Sequence, residues 1–345
     1  MLVVTSPDHG RHHGSEIYNG AVVRSFECPE RIAQVERALR DIGFGRFIAG
    51  KPINPRDLLN VHSRQYLDFL ATAYPRWQAA GHTGDAMAHT WPARAVDSRR
   101  PNGIVGQLGF HSFAADCAIT PNTFDVAIAG ASAAVRAASL TRTEGQAFAM
   151  VRPPGHHATR DQFGGYCYIN NSAAAAQRLL DDGAHRVAVL DVDYHHGNGT
   201  QDIFYARSDV VTCSIHADPS GQFPWFFGYA EETGVESGEG ANLNLPLPRG
   251  TGIAQWRRAL DTALAFIDTA QCDALVVALG VDTFEHDPIS DFTLSSADYP
   301  GIGAAIAQLA VPTAFVMEGG YLTDALGRNV AGVLSGFEAA RTAGV

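Results

Sequence analysis

The chain has 345 residues and a formal charge of −11, because 36 acidic side chains outnumber 25 basic ones. This acidic balance argues against nucleic acid and anionic membrane surfaces as partners, since both repel negative charge. No apolar run reaches membrane-spanning length, and the absence of a basic leader and of a CxxC cysteine pair predicts a cytoplasmic protein without disulfides.

Apolar runs and helical periodicities alternate along most of the chain. Short apolar runs predict strands at residues 1–6, 147–151, 187–190, 210–215, 274–281 and 313–317. Helical spacing predicts helices at 29–42, 125–140, 171–180, 253–267, 299–309 and 323–340, and shorter pieces at 58–61 and 66–74. Asn171 or Ser172 is the expected cap of the helix at 171–180. The alternation predicts a single α/β domain over residues 1–345, with a mainly parallel sheet covered by helices.

One stretch, residues 75–123, has weak periodicity and many Gly, Pro and aromatic residues. A loop this long inside a compact domain is usually functional or held by a partner. Its aromatic residues are expected either to be buried beneath the loop or to form a subunit interface. They are Trp77, Trp91, Phe110 and Phe113.

Residues 186–200 form the stretch around which the rest of the chain is organised. A buried strand at 187–190 is followed by Asp191, Asp193 and His195 at two-residue spacing. In an extended chain this spacing puts alternate side chains on one face. Burying such a group of charges without partners costs several kcal/mol, so the pattern favours a metal site.

Polar clusters also follow three other apolar runs: residues 152–157, Asp282 and residues 318–321. Ligands of open α/β sheets bind beyond the carboxyl ends of the strands, so these clusters are expected to converge. Asp193, His195 and Asp282 then supply three ligands, which leaves a coordination position for water or substrate. Two carboxylates and one imidazole suit Zn(II), and the same set also suits Fe(II), Mn(II) or Co(II).

The remaining clusters supply proton-handling groups. His156 and His157 follow a rigid Pro-Pro-Gly turn, and Asp191 and Asn198 are candidate partners that orient one ring each. Tyr321 follows two glycines and has a phenol that can donate to an oxyanion beside a metal. Together they predict a metal-dependent hydrolase.

These residues form a set of motifs that resembles the histone-deacetylase-like amidohydrolases of the arginase–deacetylase superfamily. Five motifs in the same order carry the resemblance: 152–157 (RPPGHH), 164–171 (GGYCYINN), 191–200 (DVDYHHGNGT), 280–282 (GVD) and 318–321 (EGGY). Within the family the chain looks closest to bacterial acetylpolyamine amidohydrolases. The pointers are the 75–123 insertion, 90–94 (TWPAR), 227–233 (FGYAEET) and 282–289 (DTFEHDPI).

The resemblance implies an arginase–deacetylase fold with an eight-stranded parallel sheet and Zn²⁺ bound by Asp193, His195 and Asp282. His157 would be the general base and acid, and His156 would be an electrostatic helper bonded to Asp191. Asn198 would support His157, at a position where the family often has aspartate. Tyr321 would donate to the scissile carbonyl.

A structural potassium ion and a substrate channel are also implied by the resemblance. The potassium ligands would come from Asp191, Asp193, His195, Ser214 and Ile215. The channel for a slender aliphatic chain would be lined by Tyr166, Phe223, Gly165 and Asp116.

The resemblance further implies that the 75–123 insertion helps to form a homodimer and narrows the entrance. That arrangement would admit small cationic amines and exclude folded proteins. Asp116 lies where an amine-binding acid is expected, whereas Val105 stands at a position expected to be glutamate, which argues against strict polyamine specificity.

The first functional hypothesis is therefore a zinc-dependent deacetylase of small N-acetylated amines of the acetylputrescine or acetylcadaverine type. A second hypothesis keeps the chemistry but takes acyl-lysine in peptides or proteins, or another small acylamide. A third is a binding protein that holds acetylated ligands in an inactive site, and the complete set of candidate catalytic residues argues against it.

Overall fold

The computed structural model describes residues 1–6, 8–93 and 99–343. Within them, the strands are β1 (Leu2–Thr5), β2 (Ser15–Tyr18), β3 (Ala21–Arg24), β4 (Arg46–Ala49), β5 (Gln146–Met150), β6 (Val187–Asp191), β7 (Val210–Ala217), β8 (Asn242–Leu247), β9 (Ala274–Leu279) and β10 (Thr313–Met317). Eight of them form one sheet in the order β4-β1-β5-β10-β9-β6-β7-β8. Every neighbouring pair in this sheet is parallel.

The α-helices of the same residues are α1 (Glu30–Asp41), α2 (Arg64–Ala79), α3 (Ile104–Phe110), α4 (Thr123–Glu144), α5 (Asn171–Asp181), α6 (Asn198–Phe204), α7 (Ile253–Thr269), α8 (Tyr299–Ile306) and α9 (Leu326–Ala343). Helices α4 and α5 pack on each other and on central strands, while α9 packs against both α1 and α8. The central strands are buried along their whole length, apart from the partly buried Gln146 at the start of β5. The predicted α/β fold with an eight-stranded parallel sheet flanked by helices is confirmed.

The two edge strands of the sheet are absent from the sequence prediction. β4 is only four residues long, and β8 contains Pro246, which lacks a backbone N–H and usually argues against a strand. An edge position tolerates this residue because one side of the strand needs no partner. The sheet order therefore explains why both strands escaped a prediction based on buried apolar runs.

The 75–123 stretch is more ordered than predicted. Helix α2 continues through Pro75 to Ala79, and α3 lies inside the stretch. Ala86 and Ile119 exchange two backbone hydrogen bonds of 2.9 Å, which close the segment into a loop. A second hydrophobic cluster beneath it explains the order, because aromatic side chains of α2 and the 163–169 loop pack there.

Two local predictions are wrong. The cap of α5 is Asn170, whose side chain accepts from the Ala173 N–H at 2.8 Å, and neither Asn171 nor Ser172 has this role. The predicted helical piece at 58–61 is instead a single 3₁₀ turn over Pro55–Leu58, capped by Asn54. In the described ranges, no helix combines the length and hydropathy needed to cross a bilayer.

Candidate active site

The polar clusters expected to converge follow strands that are neighbours in the sheet. β5, β10, β9 and β6 are consecutive in the sheet order, and each is followed by one cluster. Because all four strands are parallel, their carboxyl ends meet at one edge. The structure therefore brings side chains from four distant parts of the sequence into one buried site.

Asp193, His195 and Asp282 lie at the centre of this site, and one ligand atom from each lies within 4.8 Å of the others. The Nδ1 atom of His195 is 3.1 Å from Asp282 Oδ2 and 3.3 Å from Asp193 Oδ1. All three residues are buried. Burial and the like charge of Asp193 raise the pKa of Asp282 to about 6, and a divalent cation would relieve this repulsion.

Two glycines fit the backbone closely around these carboxylates. A Cβ atom at Gly280 would lie 2.0 Å from Asp193 Oδ2. A Cβ atom at Gly319 would lie 2.4 Å from an oxygen of each carboxylate, Asp193 and Asp282. The donor set and the space around it therefore fit a divalent metal ion with two carboxylates and one imidazole as ligands.

The two neighbouring histidines make different hydrogen bonds. His156 Nδ1 donates to Asp191 Oδ2 at 2.8 Å, and His157 Nδ1 donates to Asn198 Oδ1 at 2.7 Å. Burial disfavours a charged His156 ring, but Asp191 and Asp193 override it and raise its pKa well above the usual value. Burial and the neighbouring His156 lower the pKa of His157 well below the usual value. Asp191 and Asp193 thus favour the charged form of His156, burial favours the neutral form of His157, and Nε2 of His157 remains available.

A cavity of about 290 Å³, here called the central cavity, opens above the histidines. It is lined by Glu16, Ile17, Tyr18, Asp116, His157, Gly165, Tyr166, His195, Gln222, Phe223, Trp225, Ile289 and Tyr321. Phe223 stands edge-on to His157 with ring centroids 5.0 Å apart, and Tyr166 stands edge-on to Tyr321 at 5.7 Å. All four candidate channel residues therefore line the same space as His157 and Tyr321.

Gly165 and Asp116 shape this wall together. Gly165 has φ +58°, and a Cβ atom there would lie 2.3 Å from the His157 ring. Its N–H donates to Asp116 Oδ1 at 2.9 Å. Burial raises the pKa of Asp116 to about 6. The carboxyl group therefore forms part of the channel wall, fixes Gly165 in it, and adds negative potential when ionised.

Glu16 is a cavity residue that the sequence analysis missed. It lies on β2, is 1% exposed, and neither carboxylate oxygen makes a hydrogen bond of normal geometry to the described residues. Burial, opposed by the Tyr166 phenol, raises its pKa to about 7. The sequence does contain a signal for this hairpin, the dipeptide Asn19-Gly20, which is typical of two-residue hairpin turns. Such turns require a positive φ at both residues, and both have one here.

The other candidate residues lie as follows. Asp191 on β6 is paired in register with Ser214 on β7, and Ile215 is the next residue of that buried strand. Val105 lies on α3 and is partly buried against the second hydrophobic cluster. In the 90–94 motif, Trp91 is half-exposed and donates to Ser112 Oγ at 3.0 Å, while Arg94 lies outside the described residues.

Comparisons with known proteins agree with this architecture. Residues 25–337 match the histone deacetylase domain family. The chain is 48% identical to an acetylpolyamine amidohydrolase of Mycoplana ramosa over 97% of this chain and 99% of that protein. It is also 48% identical to acetylpolyamine amidohydrolase 1 of Pseudomonas aeruginosa, covering 99% of each chain.

A solved structure supports the same assignment. The crystal structure of an acetylpolyamine aminohydrolase from Burkholderia pseudomallei superposes with a TM-score of 0.92 at 36% identity, covering 99% of both chains. Family match, sequence relatives and fold agree over nearly the whole length. The chain belongs to the histone deacetylase family.

Proposed function

We propose that this protein is a zinc-dependent deacetylase that hydrolyses small N-acetylated amines with a second, cationic amino group. Acetylpolyamines of the acetylputrescine or acetylcadaverine type are the substrates that fit this description. The observation that carries the proposal is the pairing of a metal-competent trio, of which His195 lines the central cavity, with two carboxyl groups, Glu16 and Asp116, in the cavity wall. The relatives named acetylpolyamine amidohydrolase support the same substrate class.

A divalent ion bound by Asp193, His195 and Asp282 would act as a Lewis acid on the amide carbonyl and would acidify a water molecule. His157 is the proposed base, since Asn198 engages its Nδ1 and leaves Nε2 to accept the proton from the attacking water. The same atom then returns the proton to the leaving nitrogen as the C–N bond breaks. The products are acetate and a free amine.

His156 and Tyr321 are the proposed electrostatic helpers. The Asp191 carboxylate holds a positive charge on His156, beside the neutral ring of His157. Tyr321 lines the central cavity and can donate its phenol proton in a hydrogen bond to the carbonyl oxygen. Such donors are effective because they are fixed before the negative charge develops on that oxygen.

The cation selectivity is proposed to come from the cavity wall. A buried carboxylate without a cationic partner is costly, and an ammonium group of the substrate would supply the missing positive charge beside Glu16. Tyr166 and Phe223 would hold the methylene chain between this carboxylate and the reacting amide. The narrow space suits an unbranched chain.

We also propose a structural K⁺ with ligands from Asp191, Asp193, His195, Ser214 and Ile215, and a homodimer formed in part by the 75–123 segment. Exposed aromatic side chains beside the entrance support the dimer, and they are Trp91, Trp225, Phe226, Phe227 and Tyr229. All five line a surface cleft of about 970 Å³. The five free, buried cysteines support a reducing, cytoplasmic setting.

A second candidate function is deacylation of acyl-lysine in peptides. Val105 favours it, because this aliphatic residue on α3 takes the place of an expected glutamate. The test is a substrate panel on metal-reconstituted protein that compares N-acetylputrescine, an acetyl-lysine peptide and the neutral N-butylacetamide. We expect the highest kcat/KM for N-acetylputrescine. Preference for the peptide would support the second candidate, and no turnover of any substrate would overturn both.

A further inference from the structure

A buried cluster of three charged side chains, Glu27, Arg31 and Arg152, lies outside the central cavity and has no part in the mechanism above. Both guanidinium groups are fully buried, and the Glu27 side chain is 2% exposed. One carboxylate thus faces two guanidinium groups. Burial opposes ionisation of Glu27, but the two arginines override it and lower its pKa to about 2.

Arg152 attaches this cluster to the loop that carries the histidine pair. Its Nε and one terminal nitrogen donate to the two oxygens of Glu27 at 2.8 and 2.7 Å. Its other terminal nitrogen donates to the His9 carbonyl. The fixed Arg152 is the first residue of the turn that leads to His156 and His157.

Arg31 attaches the cluster to the loop that carries Tyr321. It donates to Glu27 Oε1 at 3.0 Å, to the Gly320 carbonyl at 2.6 Å and to the Glu318 carbonyl. Its guanidinium carbon lies 5.0 Å from the centre of the Tyr321 ring. A cation this close to an aromatic ring is attracted to it. Arg31 therefore contacts both the backbone and the ring on which the phenol position depends.

The residues before Tyr321 make such external support necessary. Gly320 has φ +108°, which favours glycine, and Gly319 has no room for a Cβ beside the two carboxylates. Two consecutive glycines give the backbone much conformational freedom. Two carboxylates hold N–H groups of this loop: Asp193 Oδ2 accepts from the Gly319 N–H at 2.7 Å, and Asp287 Oδ2 accepts from the Tyr321 N–H at 2.9 Å. Arg31 adds a restraint on the carbonyl groups, which the carboxylates cannot bind.

We propose that Arg31 and Glu27 are positioning residues for the deacetylation, and that they act on it through Tyr321. Arg31 fixes the backbone carbonyls of Glu318 and Gly320, and its guanidinium group packs on the face of the Tyr321 ring. Glu27 fixes Arg31 and links it to Arg152, so that the histidine loop and the tyrosine loop keep one relative position. The expected changes in kcat rest on the proposed function, whereas the expected position of the Tyr321 hydroxyl rests on geometry alone.

A purely structural role would have a different consequence. A buried ion cluster that only stabilises the fold would lower thermal stability when altered, and any loss of turnover would be independent of the Tyr321 hydroxyl. A positioning role requires that the loss disappear once that hydroxyl is absent. The two roles are separated by a double-mutant cycle between Arg31 and Tyr321.

The experiment measures kcat and KM on N-acetylputrescine for Arg31→Lys, in the native chain and in a Tyr321→Phe background. In the native chain we expect kcat to fall roughly 10- to 100-fold, with KM changed less than about threefold. In the Tyr321→Phe background the same change is expected to alter kcat by less than about twofold. Equal losses in both backgrounds would overturn the proposal.

Arg207→Lys is the matched control. Arg207 also lies 5.0 Å from an aromatic ring, that of Phe204, but its hydrogen bonds go to Asp209 and Gln177 and not to the Tyr321 loop. It should leave kcat unchanged. If Arg31→Lys does not fold, Glu27→Asp keeps the charge balance, shortens the reach, and is taken through the same cycle with the same criterion.

A crystal structure of the Arg31 variant supplies a readout that needs no turnover. We expect the Tyr321 hydroxyl to move by about 1 Å or more, since small displacements of catalytic groups account for losses of this size. An unmoved Tyr321 would overturn the proposal. If the native chain hydrolyses nothing in the substrate panel, the proposed function fails, while the position of Tyr321 still decides whether Arg31 holds it.

Discussion

The base and the entrance of the central cavity are built from different parts of the fold. At the base, His195 lines the cavity and contacts Asp193 and Asp282, and these three residues follow β6 and β9 in the middle of the sheet. The entrance is made by the β2–β3 hairpin, residues 222–229 and the 75–123 segment. Strand ends inside a parallel sheet hold their side chains rigidly, whereas loops at the surface vary with little effect on the core. The chemistry is thus fixed by the sheet and the choice of substrate by its surroundings.

The largest expected effect tests the base. Asp282→Ala should abolish metal binding and lower kcat/KM by about four orders of magnitude or more, because the remaining two ligands cannot hold the ion. Metal content and turnover are measured together. Asp218→Asn is the control, since this partly exposed aspartate follows β7 at the same edge of the sheet and lies outside the metal-competent trio. Full metal content in Asp282→Ala would remove Asp282 from the ligand set.

The next effect concerns Tyr321, the proposed oxyanion donor. Tyr321→Phe should lower kcat by roughly 10²- to 10³-fold with the fold and metal content unchanged, because one fixed hydrogen-bond donor is lost. Tyr66→Phe removes another buried hydroxyl, which donates to the Tyr168 carbonyl, and should leave turnover unchanged. Near-normal turnover of Tyr321→Phe would show that the phenol has no such role.

A smaller effect tests the entrance. Glu16→Gln should raise KM for N-acetylputrescine by roughly 10- to 100-fold, because a charge-assisted hydrogen bond is lost, with a smaller change in kcat. The neutral N-butylacetamide has the same chain length without the ammonium group, so its KM should not increase. Equal increases for both substrates would mean that Glu16 supports the wall and does not recognise charge.

The smallest effect on turnover is expected from the outer aromatic residues. Phe227 is 48% exposed, and Phe227→Asp should shift the protein toward a 36.8 kDa monomer in light scattering while kcat changes less than about threefold. Ile42→Asp, at the end of α1, introduces the same charge at a 58% exposed position far from the entrance. A native chain that is already monomeric would contradict the dimer.

The sequence predicted the interior of this protein better than its periphery. Six strands could be predicted, because burial on both faces of a sheet requires continuous apolar residues. They are β1, β5, β6, β7, β9 and β10. The convergence of Asp193, His195 and Asp282 followed from parallel strands alone. The edge strands β4 and β8 were missed because an edge relaxes those demands, as Pro246 shows.

Glu16 and Arg31 could not be found from buried apolar runs, because both lie on elements outside the central sheet. Glu16 belongs to a hairpin whose place over the cavity depends on contacts with distant loops, such as the bond from the Ile17 N–H to the Ala115 carbonyl at 3.1 Å. Arg31 lies in an amphipathic helix, where an arginine normally faces water. Only the tertiary fold reveals that it is buried against the Tyr321 loop.

The two-stranded β2–β3 hairpin is a segment of the enzyme whose residues can be changed independently of the central sheet. It shares no strand pairing with the eight-stranded sheet, yet it contributes Glu16, Ile17 and Tyr18 to the cavity. Residues in this ten-residue span can therefore be exchanged without disturbing the hydrogen-bond ladders that align the proposed metal ligands. New amide substrates are best sought by randomising this hairpin, since the hydrolytic machinery below it would be inherited intact.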